Sequence, residues 1–344
     1  WNFMTPHPVT VPDNAVHVQV ASDAKTFAEL LLKMANGYEG TPGLYKSLLG
    51  TGKDIRDIMP PQFWPILRSV IAAKQAQTAS LLIISNEPYI PWELAALPKT
   101  FKLPYPDLAP FLGVQVCVGR WVNGDRLPPP HTHDIAHAYV VSGIYARPRW
   151  NRLINAEAEA AAIAETYGAT QIDATFEKIL SIFDNEPAAD LLHFSMHGHS
   201  DDDALEDGLI PIDTGAVKPQ MISGAIENTR NKVAPFVFLN ACQVGAGSRI
   251  LGDYGGMAAA FIGGGAIGVV APLWSVKDDL AKAIAIEFYK ATLDEGVAPA
   301  EAIRRARGAF VSANKPVSAT YLAYQFFGHP ALQLNGSQLH KKDS

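Results

Sequence analysis

The sequence predicts an α/β protein with a mainly parallel sheet and helices on both of its faces. From Ile154 onward, segments with the period of amphipathic helices alternate with short apolar runs, which is typical of parallel α/β sheets. Two of these runs, residues 191–196 and 236–239, are mostly apolar and end at polar or turn-forming residues. Runs of this length and composition indicate strands that are covered on both faces.

The composition is that of a soluble globular protein with room for one large or two modest domains. The 344 residues are 48% hydrophobic and 18% charged, and the net charge of −6 gives no indication of binding to nucleic acid or to an anionic membrane. The longest apolar stretch, residues 257–273, is interrupted by glycines and by Pro272, so it predicts a helix and a strand instead of a membrane span. The two cysteines fit a reducing compartment, so we expect a cytoplasmic protein.

The first 150 residues predict a mixture of helices and strands, separated by segments rich in proline and glycine. Apolar residues at helical spacing predict the helices, and short apolar runs predict the strands. The glycine-punctuated residues 40–59 yield no clear prediction. The predicted segments are helices over residues 22–34 and 61–77, and strands over residues 17–20, 81–84, 112–122 and 137–145.

The remainder of the chain predicts a regular succession of helices and strands. Asn155 and Thr175 are expected to cap two helices, and Gly168 is expected to end the first of them. The predicted segments are helices over residues 157–167, 175–183, 255–262, 278–293 and 299–310, and strands over residues 191–196, 209–212, 236–240 and 267–271.

His197 and Cys242 each lie where a predicted buried strand ends. Ligands of open α/β sheets bind beyond the carboxyl ends of the strands, so we expect these two residues to meet there. A thiol with a pKa of about 8.5 is only a few per cent ionised at neutral pH, and a neighbouring imidazole takes its proton during attack. We interpret the pair as a cysteine–histidine dyad, with the backbone N–H groups of Gly198 and Cys242 as oxyanion donors. Taken alone, a cysteine after a strand is more often a small core residue.

Four motifs carry a resemblance to a known family. SMHGH at residues 195–199 and LNACQVG at residues 239–245 resemble the paired motifs of the CHAT domain, a caspase- and separase-like group of clan CD cysteine peptidases. His197 and Cys242 are 45 residues apart, close to the spacing of about 50 in caspases. IPWEL at residues 90–94 and VVAPLWSV at residues 269–276 resemble further CHAT segments. Caspases carry Gln-Ala-Cys where this chain has Asn-Ala-Cys, so it is not a true caspase.

The resemblance implies a caspase-like fold and a bacterial type of cysteine endopeptidase. We expect a non-catalytic α/β sister lobe over residues 1–150, a catalytic domain over residues 151–335 and a frayed tail over residues 336–344. It also implies a protein substrate, an activating ligand or regulatory partner, and a role in bacterial defence or programmed cell death, with neither metal nor organic cofactor in the mechanism. The stretch from Gly245 to Gly256 is the expected place of the activating switch. The chain begins with Trp1 and not Met, so we expect a piece of a longer protein.

The substrate pocket is predicted less sharply than the dyad. In separase-like relatives, acidic residues just beyond the Leu-Trp strand help to hold a substrate arginine. The candidates here are Trp274, Ser275 and Asp278 after that strand, together with Asp253 between the cysteine and the next helix. Asp278 occupies one of these acidic positions, whereas Ser275 and Lys282 replace acidic residues at others. Asp278 and Asp279 are equally well explained as residues that stabilise the start of a helix.

Two other functions stay open at this point. A catalytically silent scaffold would keep the fold and bind a partner protein through it. A zinc-dependent hydrolase would use histidines, either His193 and His199 with His197, or His131, His133 and His137 after three prolines. For these residues we favour a core position for His193, the mouth of the cleft for His199 and a solvated loop for the other three. The acidic run of residues 201–207 is most simply a solvated loop, with a calcium or substrate-lysine contact as the alternative.

Overall fold

The computed structural model describes most of the chain. The described residues are 1–19, 33, 37–74, 78–85, 90–122, 131–146, 150–184, 187–199, 208–228, 234–242, 254–311 and 318–339. The predicted helix over residues 22–34 therefore lies almost entirely outside the described residues. The acidic run over residues 201–207 and Asp253 lie entirely outside them. No described helix is both long enough and apolar enough to cross a membrane.

One large sheet forms the centre of the protein, as the alternating pattern predicts. Its strands lie in the order β1-β2-β10-β9-β8-β6-β4-β5, and β7 pairs with the end of β6. A small second sheet pairs β11 with β3. The strands are β1 (Ser80–Ser85), β2 (Cys117–Val122), β3 (Thr132–Asp134), β4 (Ala138–Ser142), β5 (Thr170–Asp173), β6 (Leu191–His199), β7 (Gly208–Leu209), β8 (Phe236–Cys242), β9 (Gly268–Pro272), β10 (Tyr324–Gly328) and β11 (Gln333–Asn335).

The large sheet consists of two blocks of parallel strands that run in opposite directions. Strands β5, β4, β6, β8 and β9 are parallel to one another. Strand β10 is antiparallel to β9 but parallel to β2, and β2 is parallel to β1. The carboxyl ends of β6 and β8 therefore open at the same edge, while those of β1 and β2 open at the opposite edge.

Helices cover both faces of the sheet. One face is packed by the helices α1, α2, α4, α8, α9 and α10, and the other by α5, α6 and α7. The helices are α1 (Leu44–Asp57), α2 (Phe63–Lys74), α3 (Leu112–Gln115), α4 (Ile154–Tyr167), α5 (Phe176–Ser181), α6 (Pro219–Asn228), α7 (Tyr254–Gly264), α8 (Asp278–Tyr289), α9 (Pro299–Gly308) and α10 (Thr320–Ala323).

The core follows from the period of two in the central strands. In β8, Phe236 and Phe238 face the first set of helices, whereas Val237 and Leu239 face the second set. All four side chains are fully buried. A strand that is apolar on both faces is stable only when both faces are covered, so the unbroken apolar run at this position indicated the three-layer architecture.

A buried ion-pair cluster joins the PWEL segment to strands β2 and β10 and to helix α9. Glu93, from the PWEL segment, accepts hydrogen bonds from Arg120 Nε at 2.9 Å and Arg120 Nη2 at 2.6 Å, and one from Gln325 Nε2 at 3.1 Å. Arg307 Nη2 lies 3.8 Å from the same carboxylate and donates to the carbonyl of Tyr324 at 2.6 Å. Burial alone would raise the pKa of the Glu93 carboxyl, but Arg120 and Arg307 hold that pKa below its usual value.

Several local predictions are confirmed, and others are wrong. Thr175 caps α5 by accepting from the N–H of Lys178, and Gly168 ends α4 in the left-handed conformation. Asn155 does not cap α4, because that helix begins one residue earlier and Leu153 is its N-cap. Residues 112–115 form the short helix α3 and not part of a strand, and α1 forms in the segment that had no clear prediction. Residues 17–19 form no strand.

The predicted division of the chain at residue 150 stays a prediction. Strands β1, β2 and β4 precede that boundary, and all three belong to the same sheet as the strands that follow it. Strand β4 lies between β5 and β6, so this part of the first 150 residues is built directly into the block that holds His197.

Candidate active site

His197 and Cys242 are paired residues on neighbouring parallel strands. The register of β6 and β8 aligns Ser195 with Asn240 and His197 with Cys242, at the carboxyl ends of both strands. Neighbouring strands are about 4.8 Å apart, and residues in register occupy the same face of a sheet. The fold therefore brings the two predicted positions side by side at the edge where ligands of α/β sheets bind.

The imidazole of His197 is fully buried and held on several sides. Its Nε2 lies 2.7 Å from the backbone carbonyl oxygen of Asn151, in the segment between β4 and α4. The Tyr145 ring meets it edge-on with centroids 4.5 Å apart, and the Trp150 ring lies tilted at 5.2 Å. A carbonyl oxygen only accepts hydrogen bonds, so Nε2 is the protonated nitrogen and Nδ1 is the basic nitrogen of the neutral ring.

The backbone of Gly198 is oriented by the neighbouring strand β7. The N–H of Ile210 donates to the carbonyl of His197 at 2.9 Å, and the N–H of His197 lies 3.4 Å from the hydroxyl of Tyr145. Successive residues of a strand direct their N–H groups to opposite sides. The N–H of Gly198 is therefore directed towards β8, the strand that ends in Cys242.

A buried polar network lies next to His197 along β6 and β8, on the same face of the sheet. His193 is fully buried, which confirms the predicted core position, and its Nε2 bonds Glu159 of α4 at 2.7 Å. Asn240 donates to the same carboxylate, and Tyr289 and Tyr324 bond the two ends of the network. Sequence reasoning missed these partners. The available signal was a single glutamate within the buried face of an otherwise Ala-rich helix.

The candidate pocket residues have different environments. Trp274 is buried, and its indole N–H has no hydrogen-bond partner within the described part of the chain. Ser275 is partly buried beside it. Asp278 lies in the first turn of α8 and accepts a hydrogen bond from the N–H of Asn155 at 3.2 Å. Asp278 thus has a structural contact with the start of α4, and Asp253 lies outside the described residues.

The histidines outside β6 are engaged in separate contacts, and the predicted solvated loop is wrong for His133, which lies in strand β3. His131 stacks on His329 with ring centroids 4.1 Å apart, while His133 Nε2 bonds the carbonyl of Asp190 at 2.9 Å. His137 Nδ1 lies 3.3 Å from a carboxylate oxygen of Asp190. Among the described residues, no three His, Cys, Asp or Glu side chains are grouped so that they could hold a metal ion. The backbone of His199 pairs with Gly208.

Cys117, the second cysteine, has an environment that suppresses its reactivity. Its thiol is buried and donates to a carboxylate oxygen of Glu301 at 3.1 Å. Burial, together with the negative charge of Glu301, raises the pKa of this thiol far above its usual value. Cys117 is therefore a structural cysteine that stays protonated at neutral pH.

Comparison with known proteins agrees with the fold and with the motifs. The family model of the CHAT domain matches residues 65–332, which is more than half of the chain. Comparison with curated proteins finds no match. The fold is similar to that in a complex of the Porphyromonas gingivalis RgpB pro- and mature domains, with a TM-score of 0.50, 10% identity, and coverage of 90% of this chain and 76% of that one.

Two further structures are similar at lower scores. A crystal structure of the Arg-specific cysteine proteinase gingipain R (RGPB) has a TM-score of 0.48 and 12% identity, and covers 90% of this chain and 75% of that one. The Saccharomyces cerevisiae separase–securin complex has a TM-score of 0.42 and 13% identity, and covers 75% of this chain and 15% of that one. At 10% identity, the similarity to the RgpB complex concerns the fold alone.

Proposed function

This chain belongs to the CHAT domain family, and from that membership and the geometry of its site we propose that it is a cysteine endopeptidase with a His197–Cys242 dyad. The observation that carries the proposal is the register of β6 and β8, which aligns the two residues at the carboxyl edge of the sheet. The reaction needs a thiol and an imidazole as close neighbours, and paired positions on adjacent parallel strands are about 4.8 Å apart.

The bond between His197 Nε2 and the Asn151 carbonyl supports a distinct role for each ring nitrogen. In the proposed reaction, Nδ1 accepts the thiol proton while the sulfur of Cys242 attacks the scissile carbonyl carbon. The C–N bond then breaks, and Nδ1–H donates that proton to the leaving amine. Water attacks the resulting thioester with Nδ1 as the base, which releases the carboxylic acid and restores the thiol. The carbonyl of Asn151 stabilises the imidazolium form in both steps, because a charge-assisted bond is stronger than a neutral one.

Backbone donors are the proposed source of oxyanion stabilisation. We assign this role to the N–H of Gly198, which follows the histidine, and to the N–H of Cys242, which belongs to the nucleophile itself. Donors that are fixed in the backbone need no reorganisation when charge develops on the substrate oxygen. Gly198 also lets the backbone approach a ligand closely, since it has no side chain.

The substrate, its pocket and its control belong to the same proposal. We propose that the substrate is a protein. The candidate residues around the substrate side chain that is recognised are Trp274, Ser275 and Asp278, which follow β9, and Asp253. An activating ligand or regulatory partner and a role in bacterial defence or programmed cell death are carried over from the CHAT resemblance. The expected switch at residues 245–256 lies mostly outside the described residues.

Two measurements test the dyad. New protein N-termini in a cell lysate are expected with the unsubstituted chain and with Cys117→Ala, but not with Cys242→Ala. Alkylation by iodoacetamide at pH 7 is expected to be about tenfold faster at Cys242 than at an ordinary thiol, because an adjacent imidazole increases the thiolate fraction. A rate at Cys242 that is ordinary and unchanged by His197→Gln would rule out the dyad and leave the scaffold function.

A further inference from the structure

Glu159 is a buried carboxylate at the centre of the polar network next to His197. It lies on α4 and is 1% exposed. Asn240 Nδ2 lies 2.8 Å from both of its oxygens, and His193 Nε2 lies 2.7 Å from one of them. A carboxylate only accepts hydrogen bonds, so the amide nitrogen of Asn240 and a protonated Nε2 of His193 must face it. The charge is tolerated in the interior because each oxygen is bonded.

The network extends from Glu159 to two tyrosines on other elements. Tyr289 of α8 bonds His193 Nδ1 at 3.0 Å, and Tyr324 of β10 donates to the Asn240 side-chain oxygen at 2.5 Å. Burial and the negative charge of Glu159 raise the pKa of Tyr289, so its hydroxyl stays neutral. The network centred on this carboxylate therefore connects two helices and three strands.

Three of the elements that the network connects, α4, β6 and β8, also position the residues of the proposed dyad. His193 precedes His197 by two strand repeats on β6, and Asn240 precedes Cys242 by one repeat on β8. Helix α4 carries Glu159, and the segment just before it supplies the carbonyl of Asn151 that bonds His197. A second bond from Ser195 Oγ to the carbonyl of Ala156, at 3.0 Å, holds the same helix to β6.

We propose that Glu159 is a positioning residue for the dyad, which it serves by holding α4 against β6 and β8 so that the Asn151 carbonyl meets His197 Nε2. The inference rests on the proposed cysteine-peptidase function. Burial of a charge carries a desolvation penalty, and apolar residues at such a position often give a fold of equal or greater stability. What the bonded carboxylate adds is a single arrangement of its partners, because any shift of the helix leaves a charged group without its donors.

The test uses the reactivity of both cysteines in one sample. Each variant is alkylated with iodoacetamide at pH 7, and modification at Cys242 and Cys117 is followed by peptide mass spectrometry. Cys242 reports the state of the dyad, whereas buried Cys117 reports opening of the fold. Glu159→Gln is expected to slow alkylation of Cys242 about tenfold while Cys117 stays protected, because small misplacements of catalytic groups have effects of this size or larger. Glu165→Gln, at an exposed position of the same helix, is the matched control and should change the rate less than twofold.

A charge exchange distinguishes positioning from simple stability. Asn240→Asp alone places two carboxylates in contact, so it is expected to slow Cys242 alkylation more than Glu159→Gln does. When Asn240→Asp is combined with Glu159→Gln, the contact again joins one carboxylate to one amide. The carboxylate at position 240 then accepts from Tyr324 and from the amide nitrogen at position 159, whose amide oxygen accepts from His193, so most of the rate should return. If Asn240→Asp alone fails to fold, the double variant and Glu159→Gln still decide the question.

Each outcome supports the inference or overturns it. An unchanged Cys242 rate in Glu159→Gln, a double variant no faster than Glu159→Gln alone, or loss of Cys117 protection in step with the Cys242 rate would overturn the positioning role. If Cys242 of the unsubstituted chain already reacts like an ordinary thiol, the peptidase function itself fails, and the inference fails with it. The two failures are therefore seen in different samples.

Discussion

Removal of the Glu93 charge is expected to destabilise the fold by several kcal/mol. Glu93 is 2% exposed and neutralises two buried guanidinium groups, those of Arg120 and Arg307. At the 3.8 Å separation from Arg307, and with an effective dielectric constant of about 20, one such pair interacts by about 4 kcal/mol. In Glu93→Gln the side chain keeps its size but loses its charge, so we expect unfolding to become easier by about 3–5 kcal/mol, as for other buried pairs that lose one partner.

Urea denaturation at pH 7 measures this change. The matched control is Glu295→Gln, which removes the carboxylate of the half-exposed pair with Arg305 and should cost less than about 1 kcal/mol. A loss below about 1 kcal/mol for Glu93→Gln would refute the reasoning, because it would mean that water or rearrangement compensates both arginines.

The pH dependence of unfolding gives an independent test of whether the Glu93 charge stabilises the fold. The pKa of Glu93 is lower in the folded state than in the unfolded chain, so the unfolded chain binds more protons in the interval between the two values. The contribution of Glu93 is therefore fully present above the unfolded pKa of about 4.3 and is lost as the pH falls through the folded pKa. The acid-induced loss of stability in this interval should be smaller in Glu93→Gln than in the unsubstituted protein.

Three further predictions can be tested by urea denaturation. Gly119→Ala should lower the free energy of unfolding by about 1–3 kcal/mol, because a Cβ there would overlap the carbonyl oxygen of Gly328. Its control, Gly224→Ala, places a Cβ in open space within α6 and should raise the free energy of unfolding by up to about 1 kcal/mol. Tyr145→Phe removes the 2.6 Å hydrogen bond to the Ile210 carbonyl and should lower the free energy of unfolding by about 1 kcal/mol. An unchanged free energy of unfolding in this variant would contradict the prediction. Burial and the neighbouring His131 lower the pKa of His329, so stability should fall as the pH drops below about 6.5, and His329→Gln should reduce that fall; an unchanged slope would contradict the assignment.

The strands of the site were predictable because their signal is local. Residues 191–196 and 236–239 are apolar on both faces, and a run of this kind has few alternatives to a central strand. The placement of His197 and Cys242 at strand ends then follows from the turn-forming residues after them. The match of the CHAT family model to residues 65–332 confirms the resemblance that these motifs carried.

The order of the strands could not be predicted from local pattern. Strand β10 comes from near the end of the described chain, yet it lies between β2 and β9 and reverses the direction of the sheet at that point. Nothing in its own residues specifies which strands it pairs with. Helix α1 was missed for a related reason: it contains Gly50 and Gly52, which lower helix propensity, but a Cβ at Gly52 would overlap the Leu94 carbonyl. Tertiary packing requires the glycine that local propensity penalises.

The acceptor of His197 had no sequence signal, because it is a backbone atom. Since every residue type offers the same carbonyl, no side-chain substitution of Asn151 removes this bond, and its geometry depends on where α4 lies. The start of that helix is held by Asp278, its first turn by Ser195 and its middle by Glu159. We therefore expect these three residues to affect the proposed dyad without contacting it. Asp278 is also one of the candidate pocket residues, so its substitution is expected to affect the proposed pocket as well as the bond between the Asn151 carbonyl and His197.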